Sequence, residues 1–134
     1  MTDCIFCKIS AGEIPSHKIY EDDYALAFLD IFPHAKGHTV VIPKKHLENI
    51  DATSAEEWNF LLTAVYKAAK RVEEVLKPDG MNIAMNDKPV AGQVVLHMHW
   101  HILPRYAGDG GGGSVHSIIN NPGDIKPEEL IKLF

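Results

Sequence analysis

The sequence predicts an α+β fold: an antiparallel sheet of about five strands, one long helix and short terminal helices. Three observations carry this reading. One amphipathic stripe of helical period runs through the middle of the chain. Short strand-like segments lie on both sides of it. The length, 134 residues, suits one compact domain, so a single domain over residues 1–134 is expected.

The elements follow in order. Strands are predicted at Ile19–Glu21 and Tyr24–Leu29, with Glu21-Asp22-Asp23 as the tight turn between them. A third strand is predicted at His38–Pro43. Thr53 and Ser54 each begin a Ser/Thr-x-x-Glu pattern, with Glu56 and Glu57, which marks a helix start. Apolar residues then recur at Trp58, Leu61, Leu62, Val65, Ala68, Ala69, Val72, Val75 and Leu76, the stripe of a helix with one buried face. Trp58 and Tyr66 read as packing residues on this helix. Pro78 and Gly80 are expected to close it. Strands are predicted again at Met81–Asn86 and His97–Leu103. Residues 108–114, Gly-Asp-Gly-Gly-Gly-Gly-Ser, read as a mobile surface loop, because glycine packs no side chain and carries high backbone entropy. Pro127 suits the first position of a short C-terminal helix.

Composition narrows the function. Apolar residues make up 46% and charged residues 23%, which excludes a disordered or fibrous chain. No apolar run approaches the ~20 residues that cross a bilayer, so no membrane partner is expected. Asp3 and Cys4 stand where a signal peptide carries Lys or Arg, so the expected location is cytoplasmic. A net charge of −5 argues against a nucleic-acid polymer as partner, which needs a basic footprint. Two cysteines are too few for a disulfide scaffold.

Eight histidines are the unusual count. Residues 97–103 read His-Met-His-Trp-His-Ile-Leu. On a strand, His97, His99 and His101 share one face, roughly 6–7 Å apart, and Met98, Trp100 and Ile102 share the other. Imidazole titrates near neutrality, binds metals and acts as nucleophile or proton donor. A neutral ring can attack phosphorus while its other nitrogen bonds a carbonyl, and a neighbouring ring can hold phosphoryl oxygens. The rival is a catalytic metal held by the row itself.

Residues 97–103 match His-φ-His-φ-His-φ-φ, with φ apolar, at every position. In this the chain resembles the histidine triad (HIT) family of nucleotide hydrolases and transferases. The resemblance extends to Asp30-Ile31-Phe32-Pro33, to Gly37–His46, to Asn86 and to Gly92-Gln93, so it spans roughly residues 4–105. It implies an HIT-like fold, a homodimer and a purine nucleotide substrate. It also implies cleavage of nucleoside 5′-monophosphoryl-X compounds through a nucleotidyl-histidine. His99 would be the nucleophile, His101 would contact the phosphate and help the leaving group depart, and His38 would support the same imidazole network. Asp30 would accept hydrogen bonds from the ribose hydroxyls, Phe28 and Ile31 would flank the base, and Asn86 and Gln93 would orient phosphate or leaving-group atoms.

Branch features are mixed. Leu103-Pro104-Arg105 is similar to the Fhit branch, which hydrolyses diadenosine polyphosphates. Asp30-Ile31 and Ile42–His46 are similar to the phosphoramidase Hint branch. Position 94 is Val where both branches carry a hydroxyl. A phosphoramidate-type substrate is the leading expectation. A dinucleoside polyphosphate, or a nucleotide sensor with little turnover, stands beside it.

Cys4-Ile5-Phe6-Cys7 is a C-x-x-C pair. By itself it reads as a redox motif, as two inert buried thiols or as half of a zinc site. The family resemblance completes the third reading. It implies one structural zinc per chain on Cys4, Cys7, His46 and His97, and no organic cofactor. His17, His34 and His116 are expected to be incidental surface residues.

Overall fold

The structure, a computed structural model, describes residues 3–134. Met1 and Thr2, the first two residues of the expected 1–134 domain, lie outside the described residues. In chain order the elements are α1 (Ile5–Ser10), β1 (Lys18–Glu21), β2 (Ala25–Leu29), β3 (Thr39–Pro43), α2 (Ala55–Leu76), β4 (Gly80–Met85), β5 (Trp100–Arg105) and α3 (Pro127–Leu130), with short 3-10 turns between. The five strands form one antiparallel sheet in the order β1-β2-β3-β5-β4.

The helix α2 forms where its stripe begins. Ser54 caps it: the hydroxyl accepts from the Glu57 N–H at 3.1 Å, and the Glu57 carboxylate accepts from the Ser54 N–H at 3.0 Å. Leu61, Ala64, Val65, Ala68 and Ala69 of α2 pack on Ala25 and Ala27 of β2, Val41 of β3, and Met98 and Ile102. The central strands are buried on both faces. Leu26 and Phe28 of β2, with Val40 and Ile42 of β3, point the other way and are covered by Phe6 and Ile9 of α1. This explains why β2 and β3 read as continuous apolar runs rather than alternating ones. The little helix α1 thus closes the face of the sheet that α2 leaves open.

Most strand ends shift by one residue from expectation, and the larger differences lie at the end of α2 and at β5. Lys77, in the left-handed region at φ 49°, caps α2, and Gly80 begins β4 instead of closing the helix. β5 begins at Trp100, not His97, and runs on to Arg105. Pairing with β3 stops at Val41↔Trp100, and two residues further along β3 stands Pro43, which has no N–H to give a ladder. Residues 97–99 therefore leave the ladder, held instead by a Met98 N–H bond to the Leu47 carbonyl at 2.7 Å. The Gly-rich loop is exposed as expected but is pinned: Asp109 accepts from Arg105 at 2.9 and 3.1 Å.

Candidate active site

Two sets of imidazoles meet at the start of β5. The first set is His38, His99 and His101. His38 sits just before β3, and His101 lies in β5, where it pairs with Val40. The His34 N–H donates to His38 Nδ1 at 3.1 Å, so that nitrogen carries the lone pair. The proton of the neutral ring is then on Nε2, which donates to His101 Nδ1 at 3.0 Å. His101 in turn must carry its own proton on Nε2. His99 is fixed in the opposite tautomer. Its Nδ1 lies 2.8 Å from the His97 carbonyl, which only accepts, so the proton is on Nδ1 and Nε2 keeps a lone pair.

Burial keeps these rings neutral. His38 is 3% exposed and His99 6%. Desolvation pulls His38 and His99 below the ordinary imidazole value and His101 down to about 4, while the Asp30 carboxylate pulls the other way. The rings of His99 and His101 stand 5.0 Å apart, nearly perpendicular. The result is a lone pair and an N–H donor side by side, both from uncharged rings.

The second set is Cys4, Cys7, His46 and His97, whose ligand atoms all lie within 4.8 Å of one another. The Cys4 sulfur caps α1. His97 Nε2 donates to the Pro43 carbonyl at 2.8 Å, so its Nδ1 lone pair faces Cys4 Sγ at 3.4 Å, Cys7 Sγ at 3.6 Å and His46 Nδ1 at 3.2 Å. Cys7 Sγ and His46 Nδ1 are 3.2 Å apart. A tetrahedral zinc with ordinary bond lengths would have N···N and N···S edges of about 3.3–3.6 Å. The residues present therefore fit a closed zinc site, and the Pro43 carbonyl supplies the outer hydrogen bond that such a histidine needs.

A third cluster, Asp30, His38 and His101, also has ligand atoms within 4.8 Å. A cation there would need the Nε2 lone pair of His38. That would move the ring proton to Nδ1, against the His34 N–H. The hydrogen-bond direction opposes a metal at this place.

The HIT domain pattern matches residues 11–108 of this chain. The chain belongs to the HIT family. It is 47% identical over 128 residues to the protein named hit from Bacillus subtilis, covering 96% of this chain and 87% of that protein. A zinc-bound histidine triad protein from Mycobacterium smegmatis has a similar structure, with TM-score 0.78 and 37% identity, covering 91% of this chain and 85% of that one. An HIT family hydrolase from Legionella pneumophila is also similar, with TM-score 0.69 and 37% identity, covering 82% of this chain and all of the other.

Within this HIT fold the remaining expected site residues fall in different places. Asp30 directly follows β2: one carboxylate oxygen accepts from the Phe32 N–H at 2.8 Å, and the other lies 3.7 Å from His38 Nε2. Asn86 and His101 line the same cavity. Ile31 is 70% exposed, whereas Phe28 is 5% exposed and packs edge-on against Phe6 at 5.9 Å. Gln93 differs most from its expected role. Its amide donates to the carbonyls of Glu48 and Val95 and accepts from the Lys88 N–H, all within 3.0 Å. Those bonds hold the loop before His97 and leave the side chain spent on backbone partners.

Two contributors were missed by sequence reasoning. Phe6, between the cysteines, meets His97 and His99 edge-on at 5.8 and 5.1 Å and so stands between the Cys/His cluster and the His99 ring. Its position inside C-x-x-C was visible, but its packing was not. His34, expected to be incidental, sets the His38 tautomer through its backbone N–H.

Proposed function

We propose that this HIT protein cleaves nucleoside 5′-monophosphoryl-X compounds through a covalent nucleotidyl-His99, with phosphoramidate-type substrates preferred. The carrying observation is the pair of opposite tautomers: a free lone pair on His99 Nε2 beside an Nε2–H on His101. In the first step His99 Nε2 bonds to phosphorus and the P–N bond breaks. The electron pair stays on nitrogen, which leaves as a neutral amine after taking up one proton from bulk water. His101 Nε2–H holds a phosphoryl oxygen throughout. In the second step water adds to phosphorus, the His99–P bond breaks and its electron pair returns to Nε2. The proton that the attacking water gives up goes back to bulk water, which balances the one the amine carried off. In this reading Asp30 accepts from ribose hydroxyls, Phe28 and Ile31 flank a purine base, and Asn86 orients the leaving side.

A structural zinc on Cys4, Cys7, His46 and His97 accords with the donor geometry and with the zinc-bound relative. When bound it would supply rigidity, not a reaction step. A thiolate zinc site suits a reducing compartment, which supports a cytoplasmic location. Among the described residues no helix is long and apolar enough to cross a membrane. β4 lies at the edge of the sheet, and Ile118, Ile119, Ile131 and Phe134 near the C-terminus are more than half exposed, which supports a homodimer. Residues 1–134 are then one HIT domain.

The test is quench-flow mass spectrometry with an adenosine 5′-phosphoramidate. An adenylyl (adenosine 5′-monophosphoryl) adduct on His99, absent from His99→Ala, is expected. Inversion at phosphorus in a chiral substrate would refute the two-step scheme. Binding without turnover would instead support the sensor reading.

A further inference from the structure

The two cysteines are placed to bond each other as well as a metal. Cys4 stands at the N-cap of α1 with extended backbone, and its Sγ accepts from the Cys7 N–H at 3.4 Å. The two sulfurs lie within 4.8 Å of each other across one turn. A disulfide between them needs only that this turn tighten, since an S–S bond is about 2 Å long. Both cysteines are partly exposed, whereas His97 beside them is 0% exposed. A small solute therefore reaches the sulfurs without the fold opening.

What the pair touches gives such a bond a consequence. Phe6, between the cysteines, is buried, and its ring meets His97 at 5.8 Å, His99 at 5.1 Å and Phe28 at 5.9 Å, all edge-on. Drawing the sulfurs together moves the turn that carries this ring. His97 gives a second route. Its Nδ1 faces the sulfurs of Cys4 and Cys7 at 3.4 and 3.6 Å, and its carbonyl holds the Nδ1 proton of His99 at 2.8 Å.

We propose that Cys4 and Cys7 form a peroxide-sensitive redox pair that governs the His99 ring. As thiolates they anchor His97 through a shared metal ion; as a disulfide they release it. A peroxide oxygen bonds to one thiolate sulfur, and the O–O bond breaks to release hydroxide. The other thiolate attacks that sulfur, the S–S bond forms, the S–O bond breaks and a second hydroxide leaves. Both hydroxides take up protons from bulk water. Two thiolates have then given two electrons, and one peroxide has become two waters. A disulfide offers no thiolate, so two of the four donors are lost and a zinc ion held there is released. Small thiols reverse the bond by exchange and take the oxidation onto themselves. The redox and zinc readings of the motif are thus two states of one site. Only the effect on turnover rests on the function proposed above.

The experiment treats zinc-loaded protein with hydrogen peroxide. Mass spectrometry should show loss of two hydrogens and a Cys4–Cys7 link, and a chromogenic chelator should capture one zinc per chain. Nitrogen NMR of the imidazoles should show the His99 Nδ1–H signal shifted, and single-turnover hydrolysis of adenosine 5′-phosphoramidate should slow at least tenfold. A thiol reductant with added zinc should reverse all four changes. Cys7→Ser should form no link and show no further reversible loss of rate with peroxide. Thiols that stay unlinked while methionines oxidise overturn the proposal, as does a linked protein that keeps its zinc, or a reduced protein that binds none. A linked, zinc-free protein whose His99 signal matches the reduced form overturns it as well. If native protein turns over no phosphoramidate, the proposed function fails, while the link, the zinc and the His99 signal still decide the switch.

Discussion

Replacing His38 tests the hydrogen-bond relay more sharply than replacing His99. His38 joins the His34 N–H, at 3.1 Å, to His101 Nδ1, at 3.0 Å, in a place only 3% exposed. His38→Ala leaves one donor and one acceptor without partners. Each buried orphan costs about 1–3 kcal/mol, so stability should fall by roughly 2–6 kcal/mol. Loss of the relay frees the His101 ring, and with it the hydrogen bond from Nε2–H to a charged phosphoryl oxygen. Such a bond is worth about 1.5–3 kcal/mol, or a tenfold to hundredfold loss in kcat. Two further variants separate relay from bulk. Gln places an amide N–H near the position of His38 Nε2 and should stay within about fivefold of native. Asn keeps an acceptor for the His34 N–H but does not reach His101, and should be as slow as Ala. The assay is single-turnover hydrolysis of adenosine 5′-phosphoramidate, with thermal unfolding as a check on the fold. If Gln is as slow as Ala, or if Ala lies within threefold of native, the relay does not act in catalysis.

Three other outcomes are expected. Purified protein should carry one zinc per chain by elemental analysis, and Cys4→Ser should lose it while circular dichroism stays native, since Phe6 and Ile9 still dock α1 on the sheet; stoichiometric zinc in that variant would count against the assignment. Stability should fall between pH 6.5 and 4, because the unfolded chain takes up a proton near 6.5 that folded His101, held at about 4, refuses. His101 alone accounts for up to about 3 kcal/mol of that loss, with His38, His99 and His34 facing it and Asp30 opposing, and a flat unfolding midpoint across this window would contradict the buried neutral rings. Gly37→Ala should cost about 2 kcal/mol and lower Tm by several degrees, because Gly37 has φ 86° and its missing Cβ makes room for Leu76; an unchanged Tm would deny that the turn before His38 is tight.

Much of the fold was legible because local and global signals agree. The Ser54–Glu57 box and the stripe after it mark α2 with no tertiary information. The row of His97, His99 and His101 was visible as well, but its geometry was not. Alternation predicts three equivalent imidazoles on one strand face. In fact only His101 lies in the ladder, because Pro43 on a neighbouring strand ends it. The tautomers were equally hidden, since they depend on the His34 N–H and the His97 carbonyl rather than on residue type. Gln93 shows the reverse failure. Its amide suggests substrate contact, yet three backbone partners brought by distant segments consume it. Cys4 and Cys7 by themselves leave three readings open, and His46 and His97, 39 and 90 residues beyond Cys7, meet the pair only in the folded chain.

His97 explains why the two sets of imidazoles share one segment. Its side chain belongs to the Cys/His cluster through Nδ1 and is aimed by the Pro43 carbonyl at 2.8 Å. Its own carbonyl, also at 2.8 Å, holds the Nδ1 proton of His99. A ring that is 0% exposed and bound at both nitrogens cannot turn without moving that carbonyl. The segment at 97–99 has left the sheet, so no ladder fixes it there. The cluster and the Met98–Leu47 backbone bond take over that task. A ring on a fully paired strand would need no such anchor; His99, placed just beyond the ladder, does, and His97 provides it.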